Sequence, residues 1–235
     1  LSTFGIKVNK NTWTLYVKYL GLMFGESNER NRRSFQFQNA QVDETAIGKR
    51  KYQRGKRVRQ IGTLWALTFV EIVEKKIVYL DIGFLPRSKR SHKEIIPEVK
   101  KRMAPGGTMT TDLWKAYPEA ARVAEVMHLT VNHSKEFVTE DGVHTNHVEG
   151  IHGVIKNACR QQFSRLPILN KEGTPYYLDL IMWRINRRLK LKKEGKYPQT
   201  HLFKEFCECL WMWTNQPLDD WSHHIQLPEG AFEDK

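Results

Sequence analysis

Glu149 is the acid in this 235-residue sequence whose surroundings most invite a chemical reading. It lies in the stretch 144–160, His-Thr-Asn-His-Val-Glu-Gly-Ile-His-Gly-Val-Ile-Lys-Asn-Ala-Cys-Arg. At roughly 100° per residue, Val148, Ile151, Val154, Ile155 and Ala158 share one side of a helix. Glu149, Lys156 and Arg160 fall within about 20° of one another on the opposite side. Two explanations stand side by side. One is a capping box, with Asn146 as N-cap and Glu149 reaching back to the orphan amides. The other is a metal-binding carboxylate at a helix start, with the two cations holding a phosphate backbone beside it.

Asp43 and Asp112 are the acids that would complete such a site. Three crowded carboxylates raise one another's pKa unless a cation neutralises them. Oxygen ligands without thiolates select Mg²⁺ or Mn²⁺. Two such ions about 4 Å apart would activate a water or a 3′-hydroxyl on one side of a phosphodiester and stabilise the leaving oxygen on the other. Singly, each acid has an ordinary reading. Asp43 can start a turn, Asp112 can N-cap the next helix, and Glu149 can cap its own.

The chemistry therefore depends on elements that bring the three together. Residues 11–24 read as a helix, with Trp13, Val17, Leu20 and Phe24 at helical spacing. It is either a packing helix or the last helix of a DNA-reading unit. Residues 25–34 are polar and read as a linker. A strand over 35–43 ends at Asp43-Glu44. Segments 61–71 and 76–84 are rich in β-branched and aromatic residues and form a hairpin about a charged turn. A helix over 92–103 is stopped by Pro105-Gly106-Gly107, and a short strand over 108–111 ends at Asp112. A helix over 113–124, a strand over 126–131, the helix of Glu149 and a basic helix over 176–193 complete the order. That last helix has a core stripe of Leu178, Ile181, Met182, Ile185 and Leu189, and its exposed side is expected to touch DNA.

Three leading strands followed by alternating helices and strands give an α/β mixed sheet with helices on both faces. This is the order of the ribonuclease H-like fold. Its first and fourth strands lie side by side, which carries Asp43 and Asp112 to one corner, and the following helix delivers Glu149 there. No Gly-rich phosphate loop is present, so the pattern is not dinucleotide-binding.

The charge balance agrees with a polyanionic partner. The net charge is +12, an excess that points to nucleic acid or an anionic membrane. Residues 204–235 hold seven acids against two lysines, a net of −5, which leaves +17 on residues 1–203. Residues 49–59 carry seven cations and no acid: Lys49, Arg50, Lys51, Arg54, Lys56, Arg57 and Arg59. Such blocks are often solvated tails; flanked by strands, this one reads equally as a loop that grips phosphates. The longest apolar run, about 13 residues, is too short for a membrane span. No signal peptide is visible, and three cysteines support no disulfide framework. The expected compartment is the nucleus, or the cytoplasm and nucleoid of a bacterium. The sequence opens on Leu1 and is expected to be a fragment.

Three stretches also carry a family resemblance. Val42-Asp43-Glu44-Thr45 with Gly48-Lys49-Arg50-Lys51-Tyr52 and Arg54-Gly55 resembles the first motif of the Merlin-type transposases and their insertion-sequence relatives. Thr111-Asp112-Leu113-Trp114-Lys115-Ala116-Tyr117 resembles their second motif. Val131-Asn132-His133-Ser134-Lys135, with His144-Thr145-Asn146 and Val148-Glu149, resembles their third. The resemblance spans about residues 38–190. It implies a DDE transposase or integrase-type fold and a catalytic, metal-binding triad of Asp43, Asp112 and Glu149. It further implies Mg²⁺ (or Mn²⁺) as cofactor, with two ions expected, and DNA cleavage at element ends followed by strand transfer. Gly150 stands where a Ser or similar residue is expected. No Cys-rich zinc ribbon precedes the domain, so recognition of element ends is expected to lie elsewhere.

Other residues receive smaller roles. His133 and His144 orient carboxylates, contact phosphate or simply pack. His144, His147, His152 and Cys159 diverge along their helix, and a structural zinc there is set aside. Asp81 is the competing metal position, but Leu80 and Ile82 mark it as an ordinary exposed strand site. Glu44 points to the opposite face from Asp43. Trp211 and Trp213 stack on bases or pack in a core or oligomer contact. The expected organisation is an N-terminal helical segment and linker (1–34), a ribonuclease H-like catalytic domain (35–193) and an acidic, Trp-rich extension (194–235). The expected partners are terminal repeats and target DNA, with a homodimer joining two ends. The competing readings are a transposase-derived DNA-binding protein without catalysis, and a nuclease without strand transfer.

Overall fold

A computed structural model describes residues 10–47, 64–85, 91–131, 145–162 and 176–196, together with 201, 204 and 206–208. Five strands form one sheet: β1 (Phe37–Ile47), β2 (Leu64–Val73), β3 (Lys76–Leu85), β4 (Met103–Thr111) and β5 (Met127–Thr130). Their spatial order is β3-β2-β1-β4-β5. β1, β2 and β3 pair antiparallel as a meander, whereas β4 pairs parallel to β1 and β5 parallel to β4. The helices are α1 (Lys10–Ser34), α2 (His92–Arg102), α3 (Tyr117–Val123), α4 (Asn146–Gln162) and α5 (Tyr176–Lys193).

Strand residues alternate between two cores, as the period of two requires. Val42, Leu67, Phe69 and Leu85 meet Ile95, Val99 and Tyr117 of α2 and α3 on one face. Ala66, Val70, Leu80 and Ile82 meet Val148, Ile155, Leu178 and Ile181 of α4 and α5 on the other. Helices cover both faces, and the strand order with its antiparallel and parallel halves is the ribonuclease H-like arrangement. Among the described residues, no helix is long and apolar enough to cross a membrane.

Several boundaries differ from the expected ones, each for a local reason. The polar stretch 25–34, expected as a linker, continues α1 to Ser34. Its polar residues are tertiary contacts: Asn28 Nδ2 donates to Asp179 O of α5 at 3.0 Å. Just before them, Phe24 packs on Trp183 of α5 with ring centroids 4.4 Å apart. The Pro105-Gly106-Gly107 run lies inside β4 rather than before it, as an irregularity in its pairing with β1. Gly106 takes φ +77° and donates its N–H to Glu125 O at 2.8 Å. A side chain at Gly107 would press on the backbone carbonyls of Ala104, Gln38 and Phe37 at 3.0–3.1 Å. Helix α3 begins at Tyr117 instead of residue 113. Val154, expected on the apolar stripe of α4, is 49% exposed.

Asp81 is the largest correction. Expected as an exposed strand residue, it is fully buried. Arg102 of α2 donates from Nε to its Oδ2 at 2.7 Å. Arg32 of α1 donates from Nε to Oδ2 at 2.5 Å and from Nη2 to Oδ1 at 2.8 Å. Burial alone would push the carboxyl up; the two guanidiniums outweigh it and hold the group below its ordinary value of 3.8. Both oxygens are thus engaged in tying α1 and α2 to β3, which removes Asp81 as a competitor for a metal.

Removing one partner of a buried ionic group leaves the others uncompensated, so Asp81→Ala is expected to cost about 3–5 kcal/mol. Urea unfolding at pH 7 reads that loss. Because the folded pKa is depressed, the contribution of Asp81 is fully present above about pH 4 and is lost as pH falls through the folded value. The stability difference between wild type and Asp81→Ala should therefore narrow only at strongly acid pH.

Candidate active site

The parallel pairing of β1 with β4 builds the site's floor. Gln41 pairs with Thr110 at the end of the β1–β4 ladder. Asp43 follows two residues later on β1, and Asp112 follows the end of β4 at Thr111. Asp43 is not at the end of its strand, as expected, because β2 goes on pairing with β1 as far as Ile47.

The Asp43 carboxylate is 23% exposed, and its Oδ2 lies 3.5 Å from His152 Nδ1. Its Oδ1 accepts the Glu44 N–H at 2.8 Å. Burial pushes its pKa up to about 7, aided by the negative charges of Glu44, Asp112 and Glu149 and opposed by the Glu44 N–H. Asp112 and Glu149 are therefore close enough for their charges to act on Asp43. Asp112 accepts the Trp114 N–H on Oδ1 at 2.9 Å, a turn contact rather than a cap, since α3 starts later. Glu149 lies exposed in the first turn of α4. Its Oε1 accepts the Thr145 hydroxyl at 3.2 Å. Thr145 directly precedes the helix, so the expected Asn146 cap is displaced by one residue.

Two neighbours shape the corner. Glu44 points to the other face, as expected, where it accepts the Tyr117 hydroxyl. Burial raises the Tyr117 pKa well above 10, with Glu44, Asp43 and Asp112 adding to it, so the phenol keeps its proton. His152 is buried on α4. Burial, and then Lys156, lowers its pKa to about 4. A neutral imidazole beside Asp43 makes this a long polar contact, not an ion pair. His152 Nε2 has no hydrogen-bond partner among the described residues.

Oxygen donors alone, with one carboxyl pushed up to about 7 by burial and by its acidic neighbours, suit a hard divalent cation such as Mg²⁺ or Mn²⁺. Among the described residues, no three His, Cys, Asp or Glu side chains form a ready metal-holding set. The basic loop residues Lys49, Arg50, Lys51, Arg54, Lys56, Arg57 and Arg59, and also His133 and His144, lie outside the described residues. Arg160 is in α4, and Lys156 is partly buried there close to His152. His147 and His152 turn to different partners, Gln41 and Asp43.

Sequence reasoning passed over Gln41 and gave His152 no link to Asp43. Each left a signal. Gln41 shares a strand face with Asp43 by period two, and His152 interrupts the apolar stripe Val148, Ile151, Ile155.

Comparison with known proteins bears on the whole corner. No curated protein matches the sequence. Among solved structures, the catalytic domain of Mos1 mariner transposase aligns at 14% identity and TM-score 0.34, over 82% of this chain and 98% of that one. The Mos1 strand transfer complex aligns at 12% identity and TM-score 0.32, over 82% of this chain and 64% of that chain. The Mos1 paired-end complex with left transposon end gives 12% identity and TM-score 0.30, over 82% and 65%. This chain thus spans under two thirds of the transposase in those two complexes, and the superpositions are too loose to add to the topology. The ISXO2-like transposase domain, in contrast, matches residues 39–186, a span that contains Asp43, Asp112 and Glu149. On that match, which covers more than half of its length, the chain belongs to the ISXO2-like transposase domain family.

Proposed function

We propose that this domain is a DDE transposase catalytic core that cuts DNA at element ends and joins the ends to target DNA. Asp43, Asp112 and Glu149 would hold Mg²⁺ or Mn²⁺. The observation that carries the reading is the Asp43 carboxyl, pushed up to about 7 by burial and by acids that include both Asp112 and Glu149. A pair of divalent ions, when bound, supplies activation of the attacking water or 3′-hydroxyl and stabilisation of the leaving oxygen.

The chain's own groups do the remaining work. Asp43 stands on β1, Asp112 directly follows β4, and Glu149 stands on a helix docked against the same sheet, which limits their relative motion. His152 is neutral and adds no charge that would compete for Asp43. Lys156, seven residues beyond Glu149 on α4, would meet a DNA phosphate. The cations of residues 49–59, with His133, His144 and Arg160, would add further phosphate contacts. Joining two element ends favours two copies of the chain on the DNA.

Asp43→Asn, Asp112→Ala and Glu149→Gln should each lower cutting and joining of end-bearing DNA by about 10³-fold or more, equivalent to several kcal/mol of lost transition-state stabilisation. DNA binding and the far-ultraviolet circular dichroism should persist. Metal-independent binding by the wild type without cutting would instead identify a transposase-derived DNA-binding protein, and cutting without joining a nuclease. In the absence of DNA, Mn²⁺ should raise the wild-type melting temperature and leave Asp43→Asn unmoved; at 100 times Kd the stabilisation is about 2.7 kcal/mol. Lys156→Ala should weaken binding to all DNA sequences alike and reduce the log–log salt slope by about one.

A further inference from the structure

We propose that Gln41 is a positioning residue that sets Glu149 against Asp43; the inference rests on the catalytic reading of those two acids. Gln41 precedes Asp43 by two residues on β1, and the period of two puts both on the α4 face of the sheet. Its side chain is only 6% exposed. The carboxamide Oε1 accepts two backbone N–H groups at the start of α4, from His147 at 3.1 Å and Val148 at 3.2 Å. These belong to the amides that a helix start leaves without intrahelical partners. The two donors fix which end of the amide is oxygen. The amide Nε2 is then free to donate to His147 Nδ1, at 3.2 Å.

The clamp is short on both sides. One strand repeat separates Gln41 from Asp43, and one peptide bond separates Val148 from Glu149. Glu149 N–H in turn donates to Thr145 O at 3.2 Å. Thr145 hydroxyl donates to Glu149 Oε1 at 3.2 Å. A single side chain thus connects the strand that carries one acid to the first turn that carries another. Partners that orient metal-binding groups change metal affinity by about 10–100-fold when lost.

Asn186 provides a matched control. From α5 it accepts Leu80 N–H at 2.9 Å and donates to Leu80 O at 2.8 Å, the same kind of side-chain clamp on a different strand. Mn²⁺ titration of the full chain, followed by calorimetry, should show a midpoint at least about 10-fold higher in Gln41→Leu and within about twofold of wild type in Asn186→Leu. Both variants should melt earlier. Hydrogen exchange at the His147 and Val148 amides should quicken in Gln41→Leu and stay slow in Gln41→Glu, which keeps the accepting oxygen. If Gln41→Leu does not fold, Gln41→Asn, one methylene too short, should shift the midpoint in the same direction by less.

A midpoint in Gln41→Leu or Gln41→Asn no more displaced than in Asn186→Leu would overturn the proposal, leaving Gln41 as a plain helix cap. Unchanged exchange at the two amides would overturn the clamp itself. If wild type binds no Mn²⁺ while the amides still lose protection, the catalytic reading fails and the positioning role is overturned with it, but the clamp stands.

Discussion

Parallel pairing of β1 with β4 at the middle of the sheet is the constraint on which the candidate site depends. Parallel neighbours send their C-terminal ends to the same edge, so acids at those ends become neighbours whatever their distance in sequence. Asp112 directly follows the end of β4, and Asp43 lies on β1 two residues past the last β1–β4 pair. β1 is also the partner of β2, and that second ladder holds Asp43 within a continuous strand rather than at a frayed end. A site held this way is defined by backbone hydrogen bonds on both sides, which move less than loops do.

Polar groups buried between layers tie the helices to that sheet. Asp81 joins two arginines from α1 and α2, Asn186 joins α5 to Leu80, and Gln41 joins α4 to β1. Apolar packing supplies most of the stabilisation, but it tolerates sliding and rotation. A buried carboxylate or amide left unsatisfied costs several kcal/mol, so each such contact selects one register over its alternatives. The molecule therefore uses hydrophobic faces to collect its helices and a few polar contacts to place them.

The acid corner runs against that economy. Asp43 is partly buried beside three other carboxylates, and burial with those charges raises its pKa. Tyr117 keeps its proton and donates it to Glu44, while His152 stays neutral beside Asp43. Neither contact removes the negative charge. Local arrangements that oppose stability are expected where a protein does chemistry.

Much of this was legible in the residues. Runs of β-branched and aromatic residues marked β2 and β3, helical spacing marked α2, α4 and α5, and the positions of Asp43, Asp112 and Glu149 in that order marked the candidate site. These signals are local, set by whether successive side chains face a core or water, and need no knowledge of what lies opposite. What escaped was set by distant partners. Polar residues 25–34 resemble a linker until α5 and Asp81 are seen to receive Asn28 and Arg32. Asp81 resembles an exposed strand residue until two guanidiniums close over it. Gln41 shares a strand face with Asp43, but nothing local names what it meets, because its partners lie 106 and 107 residues away. Periodicity records which way a side chain points, while a buried polar group takes its meaning from the atom it meets, and only the folded chain supplies that atom.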